Sequence, residues 1–477
     1  MTAAPDRSAD RAARGPGLPP GPRLGLLGTG PLLERPGQLQ VELRRRYGEA
    51  VTLRTFEGTL VLVLTPEGAR QILTADPDGY DVIMRRAFTG IVGTGSLWVM
   101  AGEQHRQERQ VVAPPFHAQR VRGWGRTIEQ LAGEHTDRWQ SGQTLHAYEA
   151  MLDISRDLVL RVVLGVDRGD RLREGRRVLK LLLETTSRWT ALVWFVQRWW
   201  FPPWRRYVRA RAAFTRFVYR ELAERRARRS ESDDVLGLML AARRADGSAI
   251  PEAMIRDELI TILLAGHETT ATALAWAIYE LGRHPAILAR LRDELDALGP
   301  DPEPDLIARQ PYLSAVCNET LRLHTILTEV GRVPREPREL LGYTIPAGVP
   351  MSVGIAAIHR DPEIYPEPDR FRPERFLDRT YSPFEFLPFG GGDRRCLGAA
   401  LSDYEMRITL ATVVSAWDLE SIAEDRDVRH NIGSGPEHGV PIRVLRRRWE
   451  MQAMPVPEHE VSAQSGAEPY PRGRGGE

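Results

Sequence analysis

From about residue 66 to 298, most segments repeat apolar and polar positions with a helical period. Apolar side chains recur three and four apart in residues 127–139, 173–187, 208–228 and 254–283, so each predicts a helix with a buried face. Residues 259–281 are apolar almost all round, which marks a helix enclosed by other protein. Two stretches change the period. Residues 48–65, GEAVTLRTFEGTLVLVLT, predict two strands with a turn at Glu57-Gly58. Residues 341–356, LGYTIPAGVPMSVGIA, return to strand character, with a turn at Pro346-Ala347-Gly348. A proline-rich stretch from 361 to 398 has no period, and a last apolar helix covers 399–417. The pattern is mainly α with a small β region and one long loop before the final helix. A loop of that length inside a compact fold is usually functional.

Between Pro22 and Arg448 there is neither a second linker nor an internal repeat, so one domain is expected over 18–448, opened by the stiff segment LPPGP at 18–22. Residues 1–17 and 449–477 are polar and rich in small residues and are expected to be disordered. The first 17 residues lack the apolar core of a signal peptide or anchor. The apolar run 259–281 carries His267 and Glu268 at its centre, where lipid would penalise a carboxylate heavily, so no membrane anchor is expected.

Composition narrows the function. There are 65 basic and 64 acidic side chains, a net charge of +1, which removes the usual basis for nucleic-acid binding. Lys180 is the only lysine, and Asn318 and Asn431 are the only asparagines, a bias that fits GC-rich coding rather than phosphate recognition. Two cysteines, Cys317 and Cys396, make neither a disulfide framework nor a four-cysteine zinc site. A cytoplasmic setting with reduced thiols follows as the expectation, and Cys317 reads as an inert buried thiol.

Cys396 differs because of where it stands. The long loop ends Phe389-Gly390-Gly391-Gly392-Asp393-Arg394-Arg395-Cys396-Leu397-Gly398, just before the last helix. Unpaired N–H groups and the helix dipole there bias a thiol towards thiolate. Three glycines let the backbone pass close to something flat, Gly398 keeps the first helical turn free of a Cβ, and Arg394 can reach a carboxylate on the bound object. A thiolate, a flat ligand and a carboxylate partner imply haem held by a proximal cysteine. The spacing Phe-x-x-Gly-x-Arg-x-Cys-x-Gly resembles the haem-binding signature of the cytochrome P450 family. With five of ten positions specified, a chance match in this chain is on the order of 10⁻⁴. A phosphate-loop reading fails, because no Gly-Lys-Ser/Thr follows.

Further motifs stand in that family's order. Glu319 and Arg322, three apart in NETLRLH, could be a surface ion pair. With Arg375 in Pro-Glu-Arg-Phe, they resemble the family's buried Glu-Arg-Arg cluster, which implies a structural role. Ala265-Gly266-His267-Glu268-Thr269-Thr270 puts a glycine and two threonines inside a long helix, where they weaken it. It nearly spells a His-Glu-x-x-His zinc site, but residue 271 is alanine. It resembles the family's oxygen-activating stretch, which implies Thr269 as the hydroxyl donating to bound O₂, Gly266 opening the groove and Glu268 delivering protons. His105 and Arg109, four apart on one helix face, fall where the family binds a haem propionate, and Arg332 is a further propionate contact by the same resemblance. Residues 189–204, WTALVWFVQRWWFPPW, hold five of the eleven tryptophans. They read as core or a helix seam or, by resemblance, as an aromatic lid suited to a lipophilic substrate and to transient contact with a membrane surface.

The resemblance implies a cytochrome P450 fold with haem b buried between a long central helix and the cysteine loop. Cys396 is then the axial iron ligand, with Phe389, Arg394 and Gly398 framing it. The implied reaction inserts one atom of O₂ into a lipophilic substrate, such as a fatty acid, terpenoid or other natural-product intermediate. Electrons are expected from an external ferredoxin and ferredoxin reductase, because the chain has no room for a flavin domain and no cysteine cluster. A monomer is expected. A peroxide-using or non-oxygenating haem-thiolate enzyme and a non-catalytic haem protein are the alternatives; Glu268 beside Thr269 counts against both.

Overall fold

The computed structural model describes residues 17–22, 34–55, 58–186, 197–228, 232–430 and 433–448. Residues 1–16 and 449–477, Glu57 of the expected hairpin, and Trp189 and Trp194 lie outside the described residues.

The principal helices are α1 (Pro36–Tyr47), α2 (Pro66–Leu73), α3 (Gly102–Val112), α4 (Gly125–Thr136), α5 (Ala147–Leu158), α6 (Gly169–Thr185), α7 (Pro202–Arg228), α8 (Glu252–Arg283), α9 (Pro311–Leu323) and α10 (Ala399–Ala416). The strands are β1 (Ala50–Thr55), β2 (Gly58–Val63), β3 (Tyr80–Val82), β4 (Thr144–His146), β5 (Glu329–Pro334), β6 (Arg338–Leu340), β7 (Tyr343–Ile345), β8 (Met351–Gly354), β9 (Trp417–Ser421), β10 (Asp427–His430), β11 (Gly433–Pro436) and β12 (Pro441–Arg447). The largest sheet has the order β1-β2-β8-β5-β3, with only β2 and β8 parallel, and packs on α2 through Ala69 and Ile72.

Helix α8 organises the rest. Glu252 in its first turn and Arg283 in its last complement the helix dipole. Pro285 ends it by excluding His284 from helical geometry (φ −123°, ψ 74°). Two hydrophobic cores share this helix. Its N-terminal half, through Leu259, Ile260 and Leu263, packs with Leu179 and Leu182 of α6 and Phe214 and Phe217 of α7. Its C-terminal half, through Ala271, Leu274, Trp276 and Ile278, packs with α4, α5, α9 and α10. Residues 265–270 belong to neither core. The motif stretch is therefore a gap between two packed blocks.

A buried ionic network pins the long loop. Glu319 and Arg322 are fully buried and Arg375 nearly so. The Glu319 carboxylate accepts from Arg322 Nε (2.7 Å) and Nη2 (2.8 Å), Arg375 Nε (3.0 Å) and the Arg372 N–H (2.8 Å). Arg322 also donates to the carbonyls of His359, Pro368 and Arg370, and Arg375 to those of Pro366, Glu367 and Arg370. Buried charges are tolerated only when satisfied in this way. Further along, the Leu387 N–H donates to His359 Nε2 (2.9 Å), which leaves the ring proton on Nδ1, facing Thr325 Oγ1 (3.1 Å). Burial, followed by the Arg322 and Arg360 charges, pushes His359 down to about 3, so it stays neutral.

His324, just past α9, forms a second clamp. Its ring stacks on Trp276 (centroids 3.9 Å apart), and its nitrogens face Glu280 (2.8 Å) and Asp427 (3.1 Å). Burial alone would lower its pKa, but the Asp427 and Glu280 carboxylates overcome it and raise the ring to about 9. The folded value lies above the unfolded one, so this contribution is complete below about pH 6.5 and is lost as pH rises through 9. His324→Gln should therefore lower stability by on the order of 2–3 kcal/mol at pH 6, with the gap closing towards pH 9.5. Denaturant midpoints of both proteins across that range check it; a gap independent of pH would contradict the clamp.

Several expectations need correction. The strand pattern of 341–356 stops at Gly354, and Ile355–His359 is a short helix. The 361–398 stretch contains a helical turn at Arg375–Asp378. The final helix ends at Ala416, and Trp417 begins β9. Strands β9 to β12 were not predicted; β10 and β11 are four residues each, too short for a clear alternation.

Candidate active site

Four chain segments meet at Cys396. The Cys396 N–H donates to the Phe389 carbonyl (2.9 Å), which folds the loop back and presents the thiol, while Gly398 caps α10. Gly390 and Gly392 have φ of +64° and +65°, which glycine adopts without strain. A Cβ on Gly392 would lie 2.0 Å from the Leu73 carbonyl oxygen, so this glycine serves the turn and its close approach to α2.

Cys396 is exposed, whereas Cys317 is fully buried and pushed up to about 12 by that burial. Desolvation raises the Cys396 thiol, while the Gly398 N–H, Arg395 and Arg109 favour its thiolate.

Helix α8 presents a matching face. Within a helix buried on both sides, Ile262, Ala265, Gly266 and Thr269 form a half-exposed stripe at helical spacing. A Cβ on Gly266, or on Gly398 of the cysteine loop, would meet nothing within 4 Å. Three threonines bond back to the preceding turn: Thr269 to Ala265 (2.7 Å), Thr270 to Gly266 (3.3 Å) and Thr272 to Glu268 (2.7 Å). The helix nevertheless stays α-helical throughout. Thr270 also meets Ser402 of α10 at 3.0 Å. Glu268 accepts from Tyr148 of α5 (3.3 Å), whose ring lies edge-on to His430. Burial and the Glu268 charge raise the Tyr148 pKa, so that hydroxyl keeps its proton. His267 is buried against the Leu263 carbonyl (3.1 Å), and burial pushes it down to about 4.

Positive charge gathers beside the loop. Arg394 donates to the carbonyls of Leu97 (3.4 Å) and Met100, Arg332 to those of Leu73 (3.2 Å) and Ala75 (3.3 Å), and Arg109 to that of Arg395 (2.6 Å). Among the described residues, none of the three forms an ion pair with a carboxylate. Their mutual repulsion adds to the effect of burial. Burial, then Arg332 and Arg109, pushes Arg394 down to about 10. Burial, then Arg394, Arg109 and Arg332, pushes His105 down to about 3. Guanidinium groups short of anionic partners, an exposed thiol and two glycine faces opening on space fit a flat dicarboxylate held through a metal by sulfur. No group of three or more His, Cys, Asp or Glu side chains among the described residues could hold a metal by itself.

Of the residues expected from sequence, Cys396, Phe389, Arg394, Gly398, His105, Arg109 and Arg332 come together, with Gly266 and Thr269 on the half-exposed stripe of α8. Glu268 points instead to Tyr148. Glu319, Arg322 and Arg375 form their own cluster behind the loop. Tyr148, Ser402 and the His324 clamp had no sequence signal, because their partners stand far away in the chain.

A thiol-bearing loop facing a helical groove beside a cationic pocket defines a haem-thiolate protein. The chain belongs to the cytochrome P450 family, whose pattern it matches over residues 16–439. It is similar to the putative cytochrome P450 135B1 of Mycobacterium tuberculosis, at 34% identity over 96% of this chain and 97% of that one. The putative cytochrome P450 138 of the same species is 35% identical over 85% of this chain and 90% of its own. Among solved structures, the retinoic acid bound cyanobacterial CYP120A1 superposes with a TM-score of 0.80 at 22% identity, covering 91% of this chain and 100% of that one. The cytochrome P450DA heme domain does so with a TM-score of 0.80 at 22% identity, covering 91% and 99%. The protein is thus a cytochrome P450 monooxygenase, an oxidoreductase whose haem iron is bound by a cysteine thiolate.

Proposed function

We propose that this enzyme oxygenates a lipophilic small molecule, by hydroxylation or epoxidation, with Cys396 as the residue that would hold the haem iron and electrons from an external ferredoxin and its reductase. The observation that carries it is the pairing of the exposed Cys396 thiol with the half-exposed stripe of α8, in the gap between two cores. Bound haem supplies the redox chemistry that activates O₂, one oxygen atom entering the substrate and the other leaving as water. Arg394, Arg332, Arg109 and neutral His105 would hold its carboxylates by charge-assisted and neutral hydrogen bonds. Ile262 and Ala265 offer an apolar wall that orients a lipophilic substrate and excludes water. Thr269 presents a hydroxyl in the groove. Glu268, half-buried and bonded to Tyr148, would pass protons from outside by way of that hydroxyl, and Gly266 leaves room for a small molecule beside Thr269. A monomeric, cytoplasmic enzyme is the simplest reading; no helix among the described residues is long and apolar enough to cross a membrane.

Turnover with NAD(P)H, a surrogate ferredoxin pair and O₂, compared with peroxide alone, tests the reaction. O₂-dependent product supports the proposal, and product from peroxide alone favours the peroxide-using alternative. Thr269→Ala should preserve folding and ligation and divert most reducing equivalents into hydrogen peroxide. The ratio of product to reductant consumed reads this directly, and an unchanged ratio would remove Thr269 from proton delivery.

A further inference from the structure

Helix α8 directs three buried polar side chains, Asp257, Glu258 and Thr261, at one short segment of loop. Asp257 accepts from the Gly95 N–H (3.0 Å), and Glu258 accepts from the Leu97 N–H. Ser96 Oγ, fully buried, meets Thr261 Oγ1 at 2.7 Å and accepts from the Trp98 N–H (3.1 Å). Thr261 gives its own proton to the Asp257 carbonyl (2.8 Å), so Ser96 is the donor between the two hydroxyls. Gly93 and Gly95 permit the approach. A Cβ on Gly93 (φ +97°) would lie 2.2 Å from the Asp257 carboxylate, and one on Gly95 would lie 3.0 Å from the Met254 Cα.

The same segment is held from two other sides. Tyr207 of α7 donates to the Ile91 carbonyl (2.7 Å), and Arg394 of the cysteine loop donates to those of Leu97 and Met100. The segment therefore bridges α8 and the cysteine loop. Glu258 stands four residues before Ile262, on the helical line that continues through Ala265, Gly266 and Thr269. Those four residues are half-exposed, whereas Glu258 is 1% exposed, so the loop covers one end of the open stripe. Beside the covered end stand Phe88 and Trp98, half-exposed and edge-on with ring centroids 5.4 Å apart.

The carboxyl of Glu258 acts here as a hydrogen-bonding group. Among the described residues it forms no ion pair. Burial raises it to about 8 against the pull of the Leu97 N–H, and the Asp257 and Glu108 charges add to this. The nearby guanidinium groups are engaged elsewhere: Arg256 (2.6 Å) and Arg211 (3.8 Å) face Asp257, and Arg244 (2.9 Å) holds Glu108. Glu258 is therefore a neutral acid at pH 7.

We propose that Glu258 is a positioning residue for the substrate. With Asp257 and Thr261 it latches residues 95–97 onto α8, and so holds Trp98 and Phe88 as the wall that ends the groove. This rests on reading the half-exposed stripe of α8 as the substrate groove. The carboxyl acts through the loop and touches no reacting atom.

Hydrogen exchange reads the latch without any ligand. In the haem-loaded full chain, Glu258→Ala should speed exchange of the Gly95 and Leu97 amides by about ten-fold, the size of one or two backbone hydrogen bonds. Glu258→Gln keeps a neutral acceptor oxygen in place and should exchange like the parent. 1-Dodecylimidazole and imidazole read the groove, because both ligate haem iron and shift its absorption while only the first needs the wall. Glu258→Ala should weaken dodecylimidazole by about ten-fold and leave imidazole unchanged, and Glu258→Gln should restore the parent affinity. Ser96→Ala removes only a hydroxyl and should move both readouts the same way by about five-fold, which keeps the test open if Glu258→Ala does not fold. Circular dichroism establishes folding. Exchange and dodecylimidazole affinity left as in the parent by Glu258→Ala and Ser96→Ala would overturn the proposal. So would equal weakening of both imidazoles, or a Glu258→Gln variant as impaired as Glu258→Ala. A parent protein whose haem absorption imidazole does not shift would instead overturn the reading of the groove itself, whatever the exchange shows.

Discussion

Cys396→Ser will reduce O₂-dependent turnover to background while leaving the helical fold in place. The residue sits at the end of its loop with an exposed side chain, so nothing packs around the sulfur that an oxygen of similar size would lose. Its backbone bond to Phe389 does not involve the side chain. A serine hydroxyl is a far poorer donor of electron density than a thiolate, and that push is what favours O–O cleavage in this family. Haem content, circular dichroism and product formation together measure the effect. Retained turnover in the folded serine variant would dismiss Cys396 as the ligand. Cys317→Ser provides the control: that thiol is fully buried in the core beside α8, and its change should affect stability rather than ligation.

Glu319→Gln should bring down the fold and the haem site together. The carboxylate is fully buried and holds Arg322 and Arg375, which in turn bind carbonyls from His359 to Arg370. Neutralising it leaves two buried guanidinium groups without a counter-charge, a loss of about 3–5 kcal/mol. That is a large share of the roughly 5–15 kcal/mol that holds a domain folded. The affected backbone leads directly into the loop that carries Cys396, so haem retention should fall along with the denaturation midpoint. A variant within about 0.5 kcal/mol of the parent, the range of an ordinary surface change, would show that the network does not hold the loop.

The parts of this site that were legible in the sequence are those encoded locally. Cys396 and its neighbours lie within ten residues, and α8 announces itself by an apolar run interrupted at Gly266 and Thr269. Glu319 and Arg322 share a helical turn. The rest depends on contacts that spacing does not carry. The cationic pocket draws His105 and Arg109 from α3, Arg332 from β5 and Arg394 from the loop; Arg394 was placed by the cysteine-loop motif and the other three by resemblance. Tyr148 meets Glu268 across 120 positions, and His324 meets Asp427 across 103. The three glycines illustrate the other limit. Their presence predicts a close approach but does not name the neighbour, which at Gly392 is the Leu73 carbonyl. Strands β10 and β11 escaped because segments of four residues show no clear period of their own and are held in place by pairing with each other.

The central claim is thiolate ligation of haem through Cys396, and the absorption spectrum of the reduced, carbon-monoxide-bound protein tests it most directly. Freshly prepared, folded protein should show the red-shifted Soret band of a thiolate-bound haem, and Cys396→Ser should lose it. A Soret band at the ordinary position of carbon-monoxide-bound haem proteins in the unmodified chain would contradict the assignment.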